Sequence, residues 1–147
     1  MNEPSLKPNL AILNATIKRK GFDPKGDHIQ ERIASSIYMD FRGFTDPNST
    51  FQYMMPNEEH FTKMMRSINV GLNDYVIIYD KYRNISAPRT HFMMKCFGLP
   101  NVWVLNGTFA KWALENRKID KGDAPDAWKK QGKEDQSAFK LDRSKIR

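Results

Sequence analysis

Two short apolar runs rich in β-branched residues, Tyr75 to Tyr79 (YVIIY) and Val102 to Leu105 (VWVL), constrain the fold of this chain more than any other feature. Each is too short for a buried helix and shows no polar alternation, so each reads as a strand covered on both faces, the pattern of a parallel sheet. Parallel neighbours need a crossover, and helical segments stand around both runs. Asn57 suits an N-cap, with Glu58 and Glu59 in the first turn and Phe61, Met64, Met65 and Ile68 following at helical spacing. Ala87-Pro88 opens a second helix that passes Phe92, Met93 and Cys96 and stops at Gly98. Asn106-Gly107 turns the chain into a third, Thr108 to Asn116, with Phe109, Trp112 and Ala113 facing inward and Trp112 expected in the core. The order helix, strand, helix, strand, helix implies right-handed crossovers and an α/β domain, a central mostly parallel sheet with helices on both faces.

Upstream, Leu10 to Ile17 is an apolar run that predicts a strand over Leu10 to Ala15, and Ile37 to Met39 predicts a short fourth strand. Between them Lys18 to Asp27 reads as a polar loop broken by Gly21, Pro24 and Gly26, and Ile29 to Ile33 as about one helical turn. Arg42 to Met55 reads as a long loop. A chain of 147 residues has room for one ordinary domain. The expected organisation is a leader over residues 1–9, the α/β domain over 10–119 and an extended, linker-like tail over 120–147, where Gly122, Pro125 and Gly132 interrupt a polar, highly charged stretch.

The net charge of +7 lies outside the expected core: residues 1–26 carry +3, residues 116–147 carry +4, and the middle is neutral. A nucleic-acid-binding fold would concentrate positive charge on its folded face, so no nucleic-acid partner is expected. The densest basic runs, Lys18-Arg19-Lys20 and Lys129-Lys130, are not interleaved with base-stacking aromatics and read as solvated. No stretch is apolar enough to span a membrane, the first thirty residues lack an apolar signal core, and the one cysteine rules out a disulfide framework within the chain. An intracellular or organellar location is the expectation. His28, His60 and His91 show no ligand spacing with one another or with Cys96, so neither a metal nor a cofactor is expected.

In such a fold, chemistry concentrates where a strand's carboxyl end meets a helix N-terminus, because backbone N–H groups converge there and favour an anion or a thiolate. That loop here runs from Tyr79 through Asp80, Lys81, Tyr82, Arg83, Asn84, Ile85 and Ser86 to Ala87-Pro88-Arg89. With its flanks it resembles the rhodanese (thiosulfate or mercaptopyruvate sulfurtransferase) family, and most of all the non-catalytic first half of the two-domain enzymes. Met54-Met55-Pro56 with Phe61 is similar to that family's M-L-P…F segment, Val76 to Asp80 to V-V-V-Y-D, Ala87-Pro88-Arg89 to A-P-R, and Phe97-Gly98 with Val104-Leu105-Asn106-Gly107 and Trp112 to F-G…V-L-N-G-G…W. Ala138-Phe139-Lys140 resembles the linker that leads into the second domain.

The departures bear on chemistry. In the stretch like H-I-P-G-A, this chain has Arg32, Ala34, Ser35 and Ser36 for His, Pro, Gly and Ala, and Thr108 replaces the second glycine of N-G-G. Asp80 stands where the resemblance implies the sulfur-carrying cysteine. A carboxylate cannot hold a persulfide; it can accept the loop's N–H groups and fix the loop as a structural anion. The expected catalytic set is therefore empty, with Asp80 marking the vacated position. The expected role is a structural or accessory subunit of a larger protein assembly, with a mitochondrial location suggested by the two-domain relatives. The resemblance implies the expectation that the chain stops where the family would begin its catalytic half. The alternative is an active sulfurtransferase working through Cys96, otherwise expected as core packing, or with a separate catalytic half. Trp128, Phe139, Leu141 and Ile146 are the large apolar residues with which the tail can dock on the domain's own flank or on another protein, and at least part of it, chiefly around Phe139 to Ile146, is expected to contact a partner subunit.

Overall fold

The computed structural model describes residues 9–50, 54–82, 84–128 and 137–145. Four strands form the central sheet: β1 (Leu10–Asn14), β3 (Ser36–Tyr38), β4 (Tyr75–Tyr79) and β5 (Val102–Val104), in the order β3-β1-β4-β5 and all parallel. All four lie where the apolar runs predict them. YVIIY is central, with Ile12 of β1 opposite Ile77 and Trp103 of β5 opposite Ile77 on the other side.

The side-chain alternation of the strands divides the interior in two. Ala11, Leu13, Val76 and Ile78 face the main core, which α3 (Glu58–Ser67) and α4 (Ser86–Cys96) also supply. Phe61 of α3 stacks on Phe97 at 4.0 Å, and Phe44 meets Phe61 edge-on at 6.1 Å. Tyr79 and Ile12 face the opposite way, toward a smaller cluster with Ile33 and Phe109, the latter from α5 (Thr108–Leu114). The expected caps are present: the Asn57 side chain accepts the His60 N–H at 2.7 Å, and Gly98 follows α4 at φ +89°.

Several local readings change. The stretch expected as a loop over Lys18 to Asp27 holds the start of α1 (Pro24–Gln30), because proline is at home in a first helical turn. Ile33 is not in that helix; it lies in a two-residue strand, β2 (Arg32–Ile33). The long loop from Arg42 begins inside a one-turn helix, α2 (Phe41–Phe44), whose two phenylalanines are buried. Trp112 is only half-buried: its ring flanks the smaller cluster and its indole N–H donates to the Lys118 carbonyl at 2.8 Å, while Phe109 fills the position closer to the core.

The described part of the tail is tied to the domain at several points. Residues 1–8 of the expected leader, Lys129-Lys130 and Ile146 lie outside the described residues. Ile119–Asp120 (β6) pairs antiparallel with β2, and the Trp128 N–H donates to the Ile68 carbonyl at 2.8 Å. Phe139 is 2 % exposed and meets Phe61 edge-on at 5.2 Å. The Asp142 N–H reaches the Cys96 carbonyl at 2.7 Å, and Arg143–Lys145 form a single 3-10 turn. The segment around Phe139 lies against this chain's own α3 and α4, one of the two surfaces expected for it, and contact of the same segment with a partner subunit stays a proposal. The reason is local: the Phe61–Phe97 stack has an open edge that an aromatic ring closes.

Candidate functional site

Asp80 directly follows β4 at the sheet's carboxyl edge and is fully buried. Its Oδ1 accepts the N–H groups of Tyr82 at 3.1 Å and Asn84 at 2.9 Å. Its Oδ2 accepts the Ala87 N–H at 2.8 Å, and the Ser86 hydroxyl donates to it at 3.4 Å. Ser86 and Ala87 are the first residues of α4, so the carboxylate sits against that helix's unpaired N–H groups. Asn84 turns the loop with φ +53°, a conformation asparagine tolerates. A nest of this kind attracts an external anion when empty; here the chain's own carboxylate occupies it.

Around this loop a polar network crosses from strand to strand. The Lys81 N–H donates to Thr16 Oγ1 at 3.0 Å, and both the hydroxyl and the N–H of Thr16 donate to Asn14 Oδ1. The Asn14 amide must then present its nitrogen to His28, 3.0 Å away at Nδ1, so His28 accepts there and carries its proton on Nε2. Burial, aided by the Arg32 and Lys81 charges, lowers the His28 pKa to about 4. The Tyr79 hydroxyl pairs with Ser36 Oγ at 2.9 Å and receives the Ile33 N–H at 3.2 Å, and burial holds its pKa near 12. Only the tertiary pairing of β1, β3 and β4 brings these residues together, so no sequence spacing announced the network.

The departures noted in the sequence have structural uses. Arg32 is buried and its guanidinium donates to the carbonyls of Gly122 at 2.6 Å and Asp123 at 2.9 Å, tying the 120s to the domain. Ser35, at φ +67°, gives its N–H to Asp120 Oδ2 at 2.8 Å. Thr108 holds φ +61° with a β-branched side chain where glycine would be unstrained.

Cys96 is fully buried at the last position of α4, at the opposite end of an eleven-residue helix from the Asp80 loop. Ten steps of 1.5 Å separate the two helix ends by about 15 Å. Desolvation raises the thiol's pKa, the reverse of what a sulfur nucleophile needs. His60 and His91 hold the carbonyls of Gly43 at 2.7 Å and Val102 at 3.1 Å. Among the described residues no cluster of three or more His, Cys, Asp or Glu could hold a metal ion, and no helix is long and apolar enough to cross a membrane.

Comparison with known proteins agrees with this architecture. The family model for the rhodanese-like domain matches residues 19–115. The chain is 26% identical over 118 residues to 3-mercaptopyruvate sulfurtransferase of Escherichia coli K12, covering 78% of this chain and 42% of that protein. Its structure resembles that of the Tum1 protein of Saccharomyces cerevisiae with a TM-score of 0.81 at 23% identity, over 94% of this chain and 46% of the other. It also resembles the sub-stoichiometric sulfur transferase subunit of yeast mitochondrial complex I, with a TM-score of 0.65 at 26% identity, over 71% of this chain and 35% of the other. The chain thus spans less than half the length of each of these relatives. The parallel sheet, the loop after its central strand and the family match lead to one conclusion: this chain belongs to the rhodanese-like domain family.

Proposed function

We propose that this rhodanese-like domain does not itself transfer sulfur and serves as a structural, accessory unit of a larger protein assembly, mitochondrial in location. The observation that carries the reading is the Asp80 carboxylate, which takes three backbone N–H groups and a hydroxyl in the loop where the family's resemblance puts a reactive cysteine. A persulfide or a bound thiosulfate would need those same N–H groups, and a carboxylate oxygen is a poor nucleophile toward sulfur. Cys96 offers no substitute, being buried, protonated and at the far end of α4. The accessory role is supported by the likeness to a sulfur transferase subunit of a respiratory complex, a statement about that protein which we extend to this chain as a proposal.

Two measurements test it. Purified chain assayed with thiosulfate or 3-mercaptopyruvate and cyanide as acceptor should show no turnover above buffer; turnover abolished by Cys96→Ser overturns the catalytic half of the reading. Native gel filtration of a gently lysed mitochondrial fraction should show the protein in a high-mass peak. Elution as a free 17.1 kDa species overturns the accessory role.

A further inference from the structure

The strand order β3-β1-β4-β5 opens a crevice at the sheet's carboxyl edge. The connection after β1 leads to β3 on one side, and the connection after β4 leads to β5 on the other. Loops that part in this way leave room between them, the usual place for a ligand in an open parallel sheet. Here a cavity of about 310 Å³ lies at that edge, walled by Arg19 and Phe22 from the loop after β1, Lys81 from the loop after β4, and Phe109 of α5. We infer that this crevice binds a small monocarboxylate through the Arg19 guanidinium.

The state of Arg19 carries the inference. Its guanidinium carbon lies over two rings, 3.6 Å from the centre of Tyr82 and 4.6 Å from that of Phe22. The rings engage it as a cation over their faces, which leaves its N–H groups to form hydrogen bonds. Its Nε is buried without a partner. A charged donor in that position gains most from an acceptor brought by a ligand. The fork of an arginine edge matches a planar carboxylate with two parallel N–H···O bonds.

The other charges of the cavity set the ligand's charge. Lys81 is committed: its Nζ is 2.8 Å from Asp27 Oδ2 and donates to the Glu31 carbonyl. Glu31 lines the same cavity and its negative charge opposes a second one on the ligand. This charge set favours a monoanion over a dianion such as a phosphate monoester. The Phe109 ring offers an apolar surface for a short carbon chain. The basic run Lys18-Arg19-Lys20, which read as solvated in the sequence, thus contains one residue with a different setting from its neighbours, both of them exposed. This site goes beyond the catalytic silence proposed above and does not depend on it.

The test is a two-dimensional ¹⁵N NMR titration of the whole chain, including the arginine Nε region. Three probes are used: butyrate, an acetyl-Gly-Glu-Gly-amide peptide, and phenyl phosphate. Saturable shifts of the Arg19 Nε–H with butyrate or the peptide are expected, and the tighter of the two identifies a free acid or a polypeptide carboxylate as the source. Arg19→Gln should weaken binding by about tenfold or more. Arg19→Lys, which keeps the charge and loses the fork, should weaken it too, and serves as the second variant should Arg19→Gln fail to fold. Lys20→Gln should bind as the parent does. No saturable shift with either carboxylate, equal binding of phenyl phosphate, or parent-like affinity in Arg19→Lys would each overturn the site.

Discussion

The side chain with the most concentrated consequences is Asp80. Asp80→Ala leaves the N–H groups of Tyr82, Asn84 and Ala87 without their acceptor and should cost about 1–3 kcal/mol. Urea denaturation should show the loss, and hydrogen exchange should accelerate at those three amides before the sheet is affected. His28 gives the domain a pH dependence of a definite sign. Its folded pKa, about 4, lies below its ordinary value of 6.5, so the unfolded chain takes up the proton first as the pH falls. The stability gained by burying the neutral ring is intact above pH 6.5, declines through the window from 6.5 to about 4, and is absent below it. Because His28 is 1% exposed, the full difference applies, roughly 3 kcal/mol. Urea midpoints at neutral pH and near the lower end of that window should diverge in the parent and converge in His28→Gln. Thr108 is the third case: Thr108→Gly releases a left-handed β-branched residue but adds chain entropy, so the net gain should stay within about 1 kcal/mol. Of these three residues the sequence pointed to Asp80 and Thr108, since each sits at a position where a motif departs from its pattern. It could not single out His28, whose partners Asn14, Arg32 and Lys81 meet it only through tertiary packing.

At the scale of elements, the strands were legible because each needs only its own residues: a short, β-branched, unalternated run has few other uses. The helices α3 and α4 were legible by periodicity and by the Asn57 and Gly98 caps. α1 was not, because its breakers, Pro24 and Gly26, look like a loop unless proline's place in the first turn is given weight. The tail was legible as extended but not in its contacts with this chain, since its composition is that of a solvated linker and Phe139 gains its meaning from Phe61 and Phe97. Phe139→Ala should therefore cost about 3–5 kcal/mol, the loss for a buried aromatic, despite lying in a segment of polar composition. Removing residues 137–147 should destabilise the domain by at least as much, read as a lower urea midpoint. A deletion that leaves the midpoint unchanged would mean this segment contributes nothing to the core.

For the molecule as a whole, the order of residues along the chain differs from the order in which the core can be completed. The Phe61–Phe97 stack is assembled from α3 and the end of α4, yet its open edge is closed by a ring about 40 residues further on. Chains emerge from the ribosome at about 5–20 residues per second, so the sheet and both helices are exposed for about 2–8 s before Phe139 arrives. During that interval an aromatic edge faces the cytosol or whatever compartment receives the nascent chain, and a protein that screens apolar surface has time to find it. Docking of residues 137–145 ends that exposure, because the open edge of the stack is the surface Phe139 covers.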